Sequence, residues 1–176
     1  MKPTRPGGGE TMNQEPTTLN LVTRLSEVLL ESGSKLATAE SCTGGWIAKL
    51  CTDLAGSSAW FERGFVTYSN SAKVDMLGVD RDALAREGAV SRAVAEQMAL
   101  GAVRRSQAQV SLAVTGIAGP DGGSREKPVG TVWFAWAKPD GTVESEHRLF
   151  AGDRATVREE TVSHALSGLL SRLTWS

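Results

Sequence analysis

The segment Ala39-Glu40-Ser41-Cys42-Thr43-Gly44-Gly45 places a serine, a cysteine and a threonine immediately before two glycines. At a turn from strand to helix, such a run leaves backbone N–H groups free to face an anion or an oxyanion, and Ser41 could act there as a nucleophile. The competing reading is structural: Ser41 or Thr43 caps the next helix, and the glycines relieve a tight turn. A serine nucleophile needs a base. His147 and His164 are the only histidines, and neither falls at the C-terminal end of an expected strand, so a Ser-His-Asp triad does not fit. They also lack metal-ligand spacing to other side chains. Lys73 is the remaining candidate. It falls in the first turn of a short helix, where the helix dipole and partial burial would both depress the pKa of an amine. A neutral Lys73 could then accept the Ser41 proton; the alternative is an exposed, solvated helix lysine. Tyr68, the only tyrosine, ends the preceding strand and could orient Lys73 or a substrate, or simply half-bury its ring.

A second polar cluster runs over Thr115-Gly116-Ile117-Ala118-Gly119-Pro120-Asp121-Gly122-Gly123. It does not match the dinucleotide fingerprint G-x-G-x-x-G, and reads either as a source of N–H groups for a ligand or as an ordinary glycine-rich connection. Arg154 follows Gly152-Asp153 at the start of the last helix, a place suited to a phosphate fork, although a surface arginine is equally consistent with the pattern.

These residues need elements to hold them. Leu21, Val22, Leu25, Val28 and Leu29 recur at helical spacing, with Thr17 or Thr18 as cap and Gly33 as stop. Residues 35–40 form a short strand, and Trp46, Ile47, Leu50, Cys51 and Leu54 share the face of the helix that follows. Residues 64–69 form a second strand, with Ser71 capping a short helix that ends at Gly78, and Asp80 capping another. Ser91 opens a third helical stretch before the strand 109–115. Strands 131–138 and 142–150 are joined by Pro139-Asp140-Gly141, and a closing helix begins near Ala155 behind Asp153. Helical crossovers between the first three strands predict parallel pairing, and the hairpin an antiparallel pair. The expected architecture is a three-layer α/β/α sandwich with a single mixed β-sheet, its site at the carboxyl ends of the strands.

A chain of 176 residues with 40% hydrophobic and 22% charged residues suits one soluble domain, assigned to 17–176 behind a mobile leader over 1–16. A net charge of -1 disfavours nucleic acid as a partner. No apolar run reaches the roughly 20 residues of a membrane span, and the N-terminus has no apolar core of a secretory signal. The two cysteines, Cys42 and Cys51, read as reduced, buried thiols, which points to the cytoplasm. Trp60, Phe61 and Trp133-Phe134-Trp136 could cover a second subunit in a homo-oligomer, and core packing explains them equally well.

Together, the segments Thr38–Gly45, Gly56–Phe61, Phe65–Asn70, Thr115–Gly123 and Lys127–Val132 closely resemble the CinA carboxy-terminal domain family, in the expected order from about Leu19 to Leu173. Any one of these motifs is weak; the set is specific. The resemblance implies hydrolysis of the carboxamide of nicotinamide mononucleotide to nicotinate mononucleotide and ammonia, without metal or organic cofactor. It places the nucleophile of a Ser-Lys pair on Ser41 and its lysine on Lys73, with Tyr68 and Ser58 beside them. Thr43, Gly44, Gly45, Thr115, Gly116 and Arg154 fall on positions that shape the substrate pocket. Many relatives carry an additional nucleotide-processing domain before this one, so any pyrophosphatase activity of that domain is not expected here. Two other functions stay open: a nucleotide-binding module without turnover, and an amidase for a different small amide.

Overall fold

Helix α1 (Thr18–Ser32) starts where the Thr17 hydroxyl accepts from the Asn20 N–H, and stops where Gly33 turns left-handed at φ 64. Thr17 is also the first residue that the computed structural model describes; it covers residues 17–173, and the expected leader over 1–16 lies outside them. Strand β1 (Leu36–Glu40) follows, then α2 (Trp46–Asp53), a 3-10 turn over Ser57–Ala59 and β2 (Phe61–Val66). Helices α3 (Asn70–Leu77), α4 (Arg81–Glu87) and α5 (Arg92–Arg104) lead to β3 (Val110–Gly116). A long loop joins β3 to β4 (Thr131–Ala137), a hairpin joins β4 to β5 (Val143–Leu149), and α6 (Arg154–Leu173) closes the fold.

The strands form one five-stranded sheet in the order β2-β1-β3-β4-β5. β1 pairs in parallel with both β2 and β3, whereas β3, β4 and β5 are antiparallel neighbours, so the sheet is mixed as expected. Alternation along the strands sorts the side chains between two helical layers. Leu36, Val110, Leu112, Val114, Val132, Phe134 and Trp136 face α1, α2 and α6. Ala37, Ala39, Ala113, Ala135 and Ala137 face α5, which answers with Ala95, Ala99 and Ala102. These small side chains let α5 approach so closely that the Ser111 hydroxyl, on the sheet, donates 2.7 Å to the Ala99 carbonyl.

Two local expectations change. The cap of α3 is Ser69, not Ser71: the Ser69 hydroxyl accepts from the Ala72 N–H, and Ser71 contacts only the Ser69 hydroxyl. Strand β2 begins and ends earlier than 64–69, because Phe61 already pairs with Leu36 and the chain leaves the ladder after Val66. Trp60, Phe134 and Trp136 are buried in the core of this chain, and Phe61 and Trp133 pack partly buried against it. Among the described residues, no helix is long and apolar enough to cross a membrane.

Candidate active site

At the carboxyl end of β1, alternation turns the Glu40 side chain toward α2, where it is fully buried. Its carboxylate accepts from the Thr43 hydroxyl at 2.6 Å and from the Ile47 and Ala48 N–H groups at 2.8 and 3.0 Å. Glu40 thus fills the cap of α2 from outside the helix, and the residue at the cap position, Gly45, makes no side-chain bond. Neither Ser41 nor Thr43 caps α2. Ser41 is left with its hydroxyl free for another partner.

The turn itself is tight. Gly44 and Gly45 both have positive φ, 61 and 100, which side chains tolerate poorly. The N–H groups of Ser41, Gly44 and Trp46 donate to the carbonyls of Val114, Ser41 and Thr43. Those of Cys42, Thr43 and Gly45 have no partner among the described hydrogen bonds, so they are the donors that the turn can offer a ligand. From α6, Arg158 donates Nε to the Cys42 carbonyl at 3.0 Å and Nη2 to the Thr43 carbonyl at 3.1 Å.

Lys73 reaches this turn from α3, four residues after the Ser69 cap. It is 1% exposed, and its Nζ lies 3.0 Å from Ser41 Oγ, 3.0 Å from the Thr67 carbonyl and 3.1 Å from the Tyr68 carbonyl. No carboxylate pairs with it among the described residues. Burial pushes the ammonium pKa below its ordinary 10.5, with the Cys42 sulfur acting in the opposite direction. A neutral amine keeps two N–H bonds for the two carbonyls and one lone pair for the serine proton. The exposed-lysine reading is therefore overturned. Burial has the opposite consequence for the neighbouring thiol, raising Cys42 to about 12. Cys42 is thus a neutral thiol beside Ser41. Both cysteines are free and buried.

Ser41, Lys73, Tyr68, Thr115, Gly116 and Arg154 line one cavity of about 260 Å³, together with Cys42, Asn70, Ala89, Val90 and Ala118. Tyr68 is 63% exposed rather than half-buried, and it holds Lys73 through its main-chain carbonyl, not its ring. Its phenol oxygen accepts from Arg154 Nη2 at 3.4 Å, while Arg154 Nη1 donates to the Gly119 carbonyl at 2.8 Å. One guanidinium thus ties the long loop to the tyrosine at the cavity mouth. Thr115 spends its hydroxyl proton on the Ala89 carbonyl at 2.9 Å, which draws the segment before α5 against the end of β3. Gly116 must lack a side chain, since a Cβ there would lie 2.7 Å from a Val132 methyl.

Ser58 is not brought to this cluster. It sits in the 3-10 turn before β2, at the end of the sheet where Leu36 pairs with Phe61, a strand length of ~15 Å from the Glu40 end. His147 packs on Trp133, and His164 lies 2.8 Å from the Glu146 carboxylate, so neither serves Ser41. The described residues gather no group of three or more His, Cys, Asp or Glu. A larger hollow of about 480 Å³ between β4, β5 and the end of α6 includes Glu144, Glu146 and Arg172, which are paired with one another. Sequence reasoning missed Glu40, Asn70 and Arg158. A buried acid beside a glycine turn was the available sign for Glu40, whereas Arg158 lies 116 residues from its Cys42 partner with no local signal.

Known proteins resemble this chain in sequence and in fold. The Nicotinamide-nucleotide amidohydrolase PncC of Escherichia coli K12 is 52% identical over 151 residues, spanning 86% of this chain and 92% of that protein. The protein of the same name from Pseudomonas putida is 55% identical over 151 residues, 85% of this chain and 93% of its own. The crystal structure of a competence-damaged protein (CinA) superfamily protein from Enterobacter cloacae superposes with a TM-score of 0.90 at 36% identity, covering 96% of this chain and 99% of that one. Residues 18–173 match the CinA C-terminal domain, and the chain belongs to that family.

Proposed function

We propose that this chain is an amidohydrolase that converts nicotinamide mononucleotide and water to nicotinate mononucleotide and ammonia, with Ser41 as nucleophile and Lys73 as its base. The reaction class and substrate rest on the similarity to the two PncC amidohydrolases over most of both chains. The Ser-Lys assignment rests on one observation: a fully buried lysine without a carboxylate partner among the described residues, 3.0 Å from a serine hydroxyl that caps no helix. Burying an amine is costly, and a pocket that only bound a nucleotide would gain nothing from that cost.

In the first step, Lys73 takes the Ser41 proton as Oγ bonds to the carboxamide carbon, and the carbonyl oxygen becomes an oxyanion. The uncommitted N–H groups of Cys42 and Thr43, next to Ser41 in the chain, are donors that the turn offers it; one such donor is worth ~3 kcal/mol. As the C–N bond breaks, Lys73 returns the proton to the leaving nitrogen, which departs as ammonia. Water, deprotonated by the same amine, then attacks the ester and releases Ser41 and the carboxylate product. Arg154 is the cationic group at the mouth suited to the 5′-phosphate. Such a reaction returns pyridine nucleotide to recycling.

Incubation with nicotinamide mononucleotide, nicotinamide riboside and nicotinamide, followed by ammonia assay, tests the proposal. Ammonia from the phosphorylated compound alone is the expected result. Release from the unphosphorylated amides at equal rates assigns a different amidase, and binding of the nucleotide without ammonia assigns a binding module.

A further inference from the structure

Arg158 takes no part in the reaction above, yet its polar contacts all go to the nucleophile turn. It is partly buried, and Nε and Nη2 reach the carbonyls of Cys42 and Thr43 at 3.0 and 3.1 Å. The guanidinium carbon lies 5.5 Å from the ring centroid of Trp46, the first residue of α2. Among the described residues it forms no ion pair with a carboxylate. A cation half-removed from water without a counter-ion, forked onto two successive carbonyls, is a device for fixing peptide planes.

The peptide plane it fixes matters. A trans peptide points its C=O and N–H in opposite directions, so holding the Cys42 carbonyl toward α6 turns the Thr43 N–H away from α6. That N–H has no partner among the described hydrogen bonds, whereas the Gly44 N–H in the next plane is spent on the Ser41 carbonyl. Glu40 in turn anchors the Thr43 hydroxyl and the start of α2. The turn is thus held by Arg158 and by Glu40, with the Thr43 N–H left uncommitted.

We infer that Arg158 is a positioning residue for the reaction at Ser41: its fork onto the Cys42 and Thr43 carbonyls aims the Thr43 N–H at the developing oxyanion. The inference rests on the Ser41 nucleophile reading. It says that α6 supplies the restraint that keeps the oxyanion donor in place.

The test compares R158A and R158K with the wild type in ammonia release, and adds free guanidinium ion at millimolar concentration to R158A. R158A is expected to lose roughly 10- to 100-fold in kcat with KM nearly unchanged, the cost of a misplaced donor. Guanidinium restores part of the loss in R158A; lysine, which cannot fork, leaves R158K well below the wild type. A wild-type kcat in R158A or R158K overturns the inference, as does a loss that falls in KM or follows a lowered Tm without guanidinium rescue. Should the wild type release no ammonia, the amidase reading fails, and labelling of Ser41 by a fluorophosphonate then decides the role of Arg158. Slower labelling in R158A sustains it, and equal labelling overturns it.

Discussion

Lys73 Nζ and Ser41 Oγ lie 3.0 Å apart in a setting where the lysine has two carbonyl acceptors and, among the described residues, no counter-ion. Burial lowers its pKa from 10.5, so it titrates at a lower pH in the folded chain than in the unfolded one. Between those two values Lys73 binds its proton more fully in the unfolded chain, so its own contribution to stability rises with pH across that window. Urea denaturation as a function of pH should show this contribution as a rise of the wild type relative to Lys73→Met. The same deprotonation should raise kcat/KM with pH along a limb that lies below 10.5. Lys73→Arg, charged at every accessible pH, should be inactive throughout; an active Lys73→Arg would count against a lysine base.

Glu40 holds the start of α2 through three hydrogen bonds, two of them from main-chain N–H groups. Glu40→Gln keeps one oxygen but sets an NH2 against a main-chain donor, so a buried donor is left without an acceptor. The expected loss is about 1–3 kcal/mol in chemical denaturation, accompanied by reduced activity as the Ser41 turn loosens. Unchanged stability would show that the carboxylate is not the cap that the geometry makes it.

Gly101 separates two opposed effects in α5. Alanine in a helix interior is normally favoured over glycine by roughly 1 kcal/mol. Here a Cβ would run into the backbone carbonyl of Leu77 at the end of α3, and neither helix can retreat without opening the alanine-lined face. Gly101→Ala should therefore destabilise by about 1–3 kcal/mol, the cost of overpacking, as read by Tm.

Arg154 links Tyr68 to the Gly119 carbonyl at the cavity mouth, away from the Ser41–Lys73 contact. Arg154→Ala should raise KM for nicotinamide mononucleotide by roughly 10-fold or more, as expected for a lost charge-assisted contact, with a smaller effect on kcat. Steady-state kinetics decides it, and an effect confined to kcat would move Arg154 from binding to chemistry.

The fold was largely legible because its signals are local. Helical spacing from Leu21 to Leu29, the Pro139-Asp140-Gly141 turn and the Asp80 and Ser91 caps each declare themselves within a few residues. At the site, the strand-turn-helix around Ser41 and the short helix carrying Lys73 could be read as separate elements. Their meeting is set by the parallel pairing of β1 with β2, which brings Glu40 beside Val66 and so the two following turns together. Arg158, folded back from α6, depends on a tertiary contact that no short window contains, whereas Glu40 bonds within its own strand-turn-helix but from outside the usual cap positions. Ser58 shows the converse: membership in a motif does not place a residue, and within this chain it stands at the other end of the sheet.

The central claim is that Ser41 is the nucleophile, and the rate of ammonia release from nicotinamide mononucleotide by Ser41→Ala tests it most directly. Removing the nucleophile of a covalent mechanism should reduce kcat by at least ~10³-fold while the variant stays folded. A Ser41→Ala protein that releases ammonia within a few-fold of the wild-type rate would contradict the account.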